Sequence, residues 1–162
     1  MNFSDIMNKY QAHPTAVIDE GALIGEGCTI WHFCHISGGA SIGKGCTLGQ
    51  NVYVAPKVNI GQRVKIQNNV SLFTGVIIED EVFLGPSCVF TNILTPRSEV
   101  NRKDQFLKTT VKKGASIGAN AVILCGNEIG RYAMVGAGSV VTKSIKDFEL
   151  VAGNPAVHFG WV

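Results

Sequence analysis

Residues 28–54 read CTIWHFCHISGGASIGKGCTLGQNVYV, and this stretch decides the fold. A large aliphatic residue recurs in it at every sixth position, namely at Ile30, Ile36, Ile42, Leu48 and Val54. A cysteine, alanine or valine stands two positions before each of them. Because residues two apart lie on one face of a strand, each repeat predicts a short strand with two inward side chains, followed by a corner.

The six-residue spacing extends from Ile18 to Phe90 and resumes from Val111 to Val141. Such a period is typical of a parallel β-helix, whose stacked coils bury one continuous core. If three repeats form one triangular coil, the corners stack in three columns with about 4.8 Å between coils. We therefore predict that residues 1–162 form one all-β domain, a parallel β-helix of about six triangular coils.

The repeat is interrupted once: Phe90 and Val111 are 21 positions apart, which is one repeat of six plus 15 inserted residues. Residues 92–109 lack the pattern and predict a long loop that bulges from the β-helix. Loops longer than about 12 residues inside a compact domain are usually functional or disordered. Because this one interrupts so strict a repeat, we expect it to be functional.

Both ends of the chain are predicted to cover the core that a β-helix exposes at its ends. Residues 1–12 place Phe3, Ile6, Met7 and Tyr10 at helical spacing, which predicts a short capping helix. Residues 144–162 follow the last repeat and are predicted to form a C-terminal cap.

The composition narrows the class of protein. The chain is 46% hydrophobic and 16% charged, with a net charge of +2, which argues against a nucleic-acid or membrane partner. It has no apolar run long enough for a membrane span and no signal-peptide pattern at its start, so we expect a cytoplasmic protein. Four of the five cysteines occupy inward slots and are expected to pack in the core: Cys28, Cys34, Cys46 and Cys88.

The three predicted columns of corners differ in chemistry. The charged corner contains Gly25–Gly27, Gly43–Gly45, Gly61–Arg63 and Glu79–Glu81, followed by Lys112–Gly114 and Gly130–Tyr132 if the insertion preserves the phase of the repeat. The amide corner contains Trp31–Phe33, Gly49–Asn51, Gln67–Asn69 and Gly85–Ser87. The loop corner contains Asp19–Gly21, Ser37–Gly39, Ala55–Lys57, Phe73–Gly75 and Thr91–Ile93. Asn51 and Asn69 could form a stabilising side-chain ladder, or the uncharged polar edge could contact another subunit or a sugar nucleotide.

His32 and His35 form an H-x-x-H pair and are the first candidates for a general base or metal ligands. Each could equally have only a structural role. A zinc site needs a third protein ligand, and no third histidine aligns with the pair in the neighbouring coils, so we expect no metal. The chain also lacks a nucleophile motif and a phosphate-binding loop, which makes covalent catalysis unexpected.

Longer motifs resemble one family. They are His13-Pro14-Thr15-Ala16, Ile30-Trp31-His32, Leu48 to Val52, Val64 to Ser71, Phe90-Thr91-Asn92, Pro96-Arg97, Arg102-Lys103, Gly118 to Ala121, Gly136-Ala137-Gly138 and Val140 to Lys143. With the repeat, they are similar to the left-handed β-helix acyltransferases, and within these to the N-acetyltransferases of nucleotide-linked 3-amino sugars. The resemblance implies a left-handed parallel β-helix and a homotrimer with acetyl-CoA between neighbouring helices. It also implies acetylation of a dTDP- or UDP-linked amino sugar for lipopolysaccharide O-antigen or surface glycan synthesis.

The resemblance also implies roles for particular residues. Asn92 matches an asparagine that hydrogen-bonds the sugar amine, and the proton acceptor could be His32, His35, water or the departing CoA thiolate. Residues implied to bind the sugar nucleotide are Gln67, Asn68, Asn69, Arg97, Arg102 and Lys103. Residues implied to bind coenzyme A are Ala119, Ala137, Thr142 and Lys143. The sequence departs from the family pattern at Val157, where a basic residue is usual after Gly-x-Pro-Ala.

Two other functions fit the same fold. One is a non-catalytic β-helix that serves as a scaffold, although a scaffold needs neither a long loop nor a polar corner. The other is a zinc-dependent enzyme like the carbonic anhydrases of this fold, which requires bound zinc.

Overall fold

A computed structural model describes residues 10–162, and the regular elements in this range are β-strands. They are β1 (Gln11–Ala12), β2 (Val17–Ile18), β3 (Leu23–Ile24), β4 (Thr29–Ile30), β5 (His35–Ile36), β6 (Ser41–Ile42), β7 (Thr47–Leu48), β8 (Tyr53–Val54), β9 (Asn59–Ile60), β10 (Lys65–Ile66), β11 (Ser71–Leu72), β12 (Val76–Ile78), β13 (Phe83–Leu84), β14 (Val89–Phe90), β15 (Thr109–Val111), β16 (Ser116–Ile117), β17 (Val122–Ile123), β18 (Glu128–Ile129), β19 (Met134–Val135), β20 (Val140–Val141), β21 (Glu149–Ala152) and β22 (Val157–Trp161). The predicted capping helix falls largely on residues 1–9, outside the described range; of its last three residues, Tyr10 lies in a bend and Gln11 and Ala12 form β1.

The strands form three sheets, the faces of a triangular β-helix, and apart from the last strand β22 they are parallel. The first sheet is β1-β4-β7-β10-β13-β16-β19-β21-β22, the second is β2-β5-β8-β11-β14-β17-β20, and the third is β3-β6-β9-β12-β15-β18. Thr29 pairs with Thr47 and Thr47 with Lys65, so one coil takes 18 residues. The parallel β-helix and its three corner columns are thereby confirmed.

The number of coils is larger than predicted. The first sheet stacks eight strands in parallel, which gives about eight turns rather than six. The extra turns are partial ones: β1 precedes the first repeat, and β21 follows the last. The antiparallel pair β21–β22 closes the C-terminal end, in the place of the predicted cap.

The inward slots of the repeat form the core. Side chains such as Ile36, Leu48, Ile66 and Leu84 have no exposed surface. The four predicted core cysteines are buried and free, as expected. The thiols of Cys28, Cys34 and Cys46 each donate to a backbone carbonyl oxygen, that of Gly43, Gly49 and Gly61 respectively, at 3.0–3.1 Å.

The inserted loop leaves the β-helix without disturbing its register. Val76 pairs with Thr109 and Val89 with Val122, so the coils resume in phase after the insertion. The loop begins at Asn92, in the loop corner as predicted, and residues 93–108 contain no strand. Among residues 10–162, no helix is long and apolar enough to cross a membrane.

Candidate functional site

A cleft of about 340 Å³ opens along the amide corner. Its lining residues come from three successive coils, because residues 18 apart stack at each corner: Trp31, His32, Thr47, Gly49, Gln50, Ile66, Gln67 and Asn68. Asn68 Oδ1 accepts a hydrogen bond of 2.9 Å from the backbone N–H of Gln50. The cleft therefore combines aromatic rings with amide groups, and none of the residues 10–162 that line it is a lysine, an arginine or a carboxylate.

Asn51 and Asn69 form the stabilising ladder that the sequence offered as one alternative. Asn51 Nδ2 donates to Asn69 Oδ1 at 3.1 Å, and both backbones are left-handed, with φ near +60°. Asparagine tolerates this conformation better than most residues. This contact explains both asparagines without a ligand.

The two histidines of the H-x-x-H pair face different surroundings. His32 lies in the amide corner and stacks on His13, with ring centroids 3.5 Å apart. His35 points outward from β5, where its Nε2 lies 3.0 Å from Asp19 Oδ2 and its ring tilts against Tyr53. In residues 10–162 there is no cluster of three or more histidine, cysteine or acidic side chains that could hold a metal ion.

Asp19 is a site residue that the sequence reasoning did not single out. Its carboxylate fixes one nitrogen of His35 and leaves Nδ1 available to accept a proton. The pair is about half exposed, with 46% of the His35 side chain and 44% of the Asp19 side chain accessible. The signal was present in the sequence, because the 18-residue coil places Asp19 at the corner beside the strand that carries His35.

The inserted loop encloses a second cavity, of about 430 Å³, that carries positive charge. Arg97, Arg102 and Lys103 line it together with Glu99 and Asn101. Arg102 Nη1 donates to Gln105 Oε1 at 3.0 Å, while the buried Arg102 Nε has no hydrogen-bond partner within the described chain. The three cations predicted to bind the sugar nucleotide thus surround one cavity that suits an anion.

Asn92 stands at the base of the loop and is partly buried. Its Nδ2 group donates weakly to the carbonyl oxygen of Thr74, at 3.4 Å, and its own carbonyl accepts from the N–H of Leu107 at 2.9 Å. Its side-chain Oδ1 has no recorded protein partner in residues 10–162, so it can accept a hydrogen bond from a ligand amine.

One chain does not bring the catalytic candidates together. Asn92 lies at the loop corner three coils beyond the turn that contains His35, which separates them by about 14 Å along the axis. His32 lies at a different corner, on the far side of the second sheet. Asn92, His32 and His35 can therefore share one reaction centre only if two copies of the chain meet.

The residues predicted to bind coenzyme A lie on the C-terminal coils at two corners. Ala119 and Ala137 stack in the amide corner, where the Ala119 carbonyl accepts from Gly138. Thr142 and Lys143 follow β20 and are exposed. Lys143 lines a small cleft of about 100 Å³ with Glu149 and His158.

The acidic residue of that C-terminal cleft is held in its ionised form. The Lys146 N–H donates to Glu149 Oε2 at 2.9 Å, and this hydrogen bond, helped by His158, lowers the pKa of Glu149. Val157, which replaces the family's basic residue, is 57% exposed. Because side chains alternate along a strand, it points away from the face that His158 presents to the cleft.

Comparison with known proteins agrees with this architecture. The family model described as bacterial transferase hexapeptide (six repeats) matches residues 21–56, and that of the hexapeptide repeat of succinyl-transferase matches residues 109–143. The two matches lie on either side of the inserted loop.

Among curated proteins, dTDP-3-amino-3,6-dideoxy-alpha-D-galactopyranose 3-N-acetyltransferase of Aneurinibacillus thermoaerophilus is 64% identical over 59 residues, which are 36% of this chain and 31% of that protein. The chain thus matches about a third of the length of that relative. Among solved structures, the hexapeptide-repeat acetyltransferase VCA0836 of Vibrio cholerae, complexed with acetyl coenzyme A, is 28% identical with a TM-score of 0.59, over 70% of this chain and 69% of that one.

A second solved structure, PerB of Caulobacter crescentus in complex with CoA and GDP-perosamine, has a TM-score of 0.58 at 22% identity. It covers 93% of this chain and 57% of that one, and at this identity the likeness concerns the fold alone. The repeat and the three-sheet architecture agree with these matches: on both sides of the inserted loop, the chain is similar to hexapeptide-repeat transferases.

Proposed function

We propose that this protein is an acetyl-CoA-dependent N-acetyltransferase that acylates the 3-amino group of a nucleotide-linked sugar, for a lipopolysaccharide or another surface glycan. The observation that carries the proposal is the 64% identity over 59 residues to a dTDP-3-amino sugar N-acetyltransferase. The cationic loop cavity and the amide corner are consistent with it, because such a substrate presents a diphosphate, a base and a sugar.

The reaction needs positioning more than a protein nucleophile. The lone pair of the sugar amine attacks the thioester carbonyl carbon, a tetrahedral oxyanion forms, and its collapse breaks the C–S bond and releases CoA thiolate. The amine must be unprotonated when it attacks and must lose one proton afterwards. Holding both reactants in contact can supply about 7 to 11 kcal/mol of the barrier reduction.

Within this proposal Asn92 binds the amine, and His35 accepts the proton at Nδ1 while Asp19 orients its ring. Arg97, Arg102 and Lys103 neutralise the diphosphate, and Gln67 and Asn68 contact the nucleotide. His32 is the less suitable base, because among residues 10–162 no carboxylate orients its ring as Asp19 orients that of His35. Coenzyme A lies along the C-terminal coils, near Ala119, Ala137, Thr142 and Lys143.

The proposal includes a homotrimer. Since Asn92 and His35 are about 14 Å apart along one β-helix, the loop of one copy has to reach the second sheet of a neighbour. The exposed apolar side chains of that sheet, Val17 and Val89, suit burial against another copy.

The test is acetyl transfer measured as CoA thiol release. We expect turnover with dTDP-linked or UDP-linked 3-amino sugars, and none with serine or a galactoside as acceptor. Asn92→Ala should lower kcat by about a hundredfold, whereas Asn59→Ala, an exposed asparagine of β9, should leave it unchanged. Turnover with neither sugar nucleotide, or an unaffected Asn92→Ala variant, would overturn the corresponding part of the proposal.

A further inference from the structure

The amide corner contains a slot that is lined by three successive coils. Trp31, Gly49 and Gln67 occupy the same corner position on these coils. Trp31 and Gln67 are two coil spacings apart, about 10 Å along the axis, and the coil between them presents no side chain at Gly49. A Cβ atom at position 49 would lie 2.8 Å from the backbone nitrogen of Asn68, so glycine there also lets adjacent coils approach closely.

One wall of the slot is aromatic. The Trp31 ring is nearly parallel to the His32 ring, at 8° with ring centroids 6.1 Å apart, and the residue is 47% exposed. His32 in turn stacks on His13, whose Nδ1 accepts from the N–H of Thr15 at 3.2 Å. The exposed face of Trp31 is available for a planar ligand ring to stack on.

The opposite side of the slot offers neutral hydrogen-bonding groups. The Gln50 N–H holds Asn68 through its Oδ1, which leaves the Nδ2 donor of Asn68 available. Along the described chain, the carboxamides of Gln50 and Gln67 have no recorded protein partner, and each can donate and accept. Such groups match the alternating donors and acceptors on the edge of a nucleobase.

The charge distribution separates this slot from the loop cavity. Within the described part of the chain, no lysine or arginine lines the slot, so a phosphate would gain little there, whereas Arg97, Arg102 and Lys103 line the loop cavity. The slot volume of about 340 Å³ is near the lower end for ligand pockets, enough for a base and its sugar but small for a whole sugar nucleotide.

We propose that the slot between Trp31 and Gln67 binds a pyrimidine nucleobase, which stacks on Trp31 and hydrogen-bonds to the carboxamides of Gln50, Gln67 and Asn68. The inference rests on the proposed function, in which the sugar is carried by a nucleotide. It assigns Trp31, which is otherwise without a role, to recognition of the substrate.

Fluorescence tests the stacking directly, because the chain has two tryptophans, Trp31 and Trp161. In a Trp161→Phe variant the tryptophan emission comes from Trp31 alone. We expect saturable quenching by dTDP or UDP, and no quenching by ribose 5-phosphate, which lacks a base, at the same concentration. Unchanged emission when calorimetry shows that dTDP or UDP is bound would overturn the proposal.

Affinity gives the second test. Trp31→Ala should weaken dTDP or UDP binding in calorimetry at least about fivefold, and Trp31→Phe should retain most of it. Trp161→Ala is the matched control, since Trp161 is 62% exposed on β22 and should leave the affinity unchanged. Equal affinity of Trp31→Ala and the unaltered protein, with unchanged melting temperatures, would overturn the proposal.

The outcomes separate this inference from the proposed function. If acetyl transfer to the sugar nucleotide proceeds and Trp31→Ala leaves its KM unchanged, the function holds and the slot is wrong. If dTDP or UDP quenches Trp31 but no amino sugar is acetylated, the slot holds and the function is wrong.

Discussion

The backbone N–H of Leu107 donates a 2.9 Å hydrogen bond to the carbonyl oxygen of Asn92, and this bond ties together the two ends of the inserted loop. Two residues after Leu107, Thr109 pairs with Val76 in the third sheet. The loop is thus closed before the coil resumes, so we expect that mutations can remove the loop and leave the coils folded.

Deletion of residues 93–107 should leave a folded β-helix. The deletion joins Asn92 directly to Lys108. Lys108 then takes the third position of the loop corner, which is the position of Lys57 in an earlier coil, where φ is +64°. Lys108→Gly in the same variant removes the remaining backbone strain. We expect a melting temperature within about 5 °C of the intact protein by circular dichroism, and loss of acetyl transfer. An unfolded deletion variant would show that the loop is part of the folding core.

Cys125 should become reactive in the deletion variant. It occupies a corner position, yet it is only 3% exposed, and Leu107 of the loop lies against the adjacent Gly126. Ellman's reagent should label no cysteine of the intact folded protein and one of the deletion variant. Adding Cys125→Ser to the deletion should abolish that labelling, and labelling that persists would point to another thiol.

Thr109→Val should stabilise the protein. Thr109 occupies an inward slot of the repeat, is fully buried, and its hydroxyl has no hydrogen-bond partner within residues 10–162. Valine fills the same slot one coil earlier, at Val76. Because an unpaired buried hydroxyl costs at least about 1 kcal/mol, we expect urea denaturation to show a gain of that size. Thr109→Ser keeps the hydroxyl, removes a methyl group and should destabilise; a loss with valine would mean that the hydroxyl is satisfied.

The buried cysteines should make the fold sensitive to alkali. Burial raises the pKa of the Cys88 thiol from 9.0 to about 12 and that of Cys46 to about 11. Above pH 9 the unfolded chain loses protons that the folded chain keeps, so the free energy of unfolding falls as pH rises towards these values. Each thiol contributes a slope of about 1.4 kcal/mol per pH unit.

Cys88→Ala isolates this effect, since Ala121 fills the corresponding slot on the next coil. The variant should lose stability at neutral pH but decline less steeply between pH 9 and 10.5 in urea denaturation. Two curves that stay parallel over this range would contradict the assignment.

The Asp19→Asn variant tests whether Asp19 orients the His35 ring and does not bind the substrate. The amide cannot supply the negative charge that holds the His35 ring, so we expect kcat to fall about tenfold or more with KM nearly unchanged. Asp19→Glu should restore part of the loss. Glu20→Gln alters the neighbouring exposed carboxylate and is the matched control; an equal effect of both substitutions would indicate general electrostatics instead of ring positioning.

The fold was predictable because each coil repeats the same inward pair, such as Cys46 and Leu48, and the structure buries both. The turns at the two ends could not be predicted in this way, since β1 and β21 bury too few side chains to show the six-residue pattern. The Asp19–His35 pair follows from the 18-residue coil, whereas the stacking of His13 on His32 depends on side-chain rotamers. Whether Asn92 meets His35 depends on contacts between copies, which the repeat within one chain does not encode.

The phase-preserving insertion also bears on how such a protein can diversify. Since the hydrogen bond from Leu107 to Asn92 closes the excursion and the coils continue in register, changes in loop length leave every core contact in place. Selection can then remodel the loop without a folding penalty, as antibody loops vary on a constant framework. The residues that the loop presents can therefore change while the β-helix stays the same.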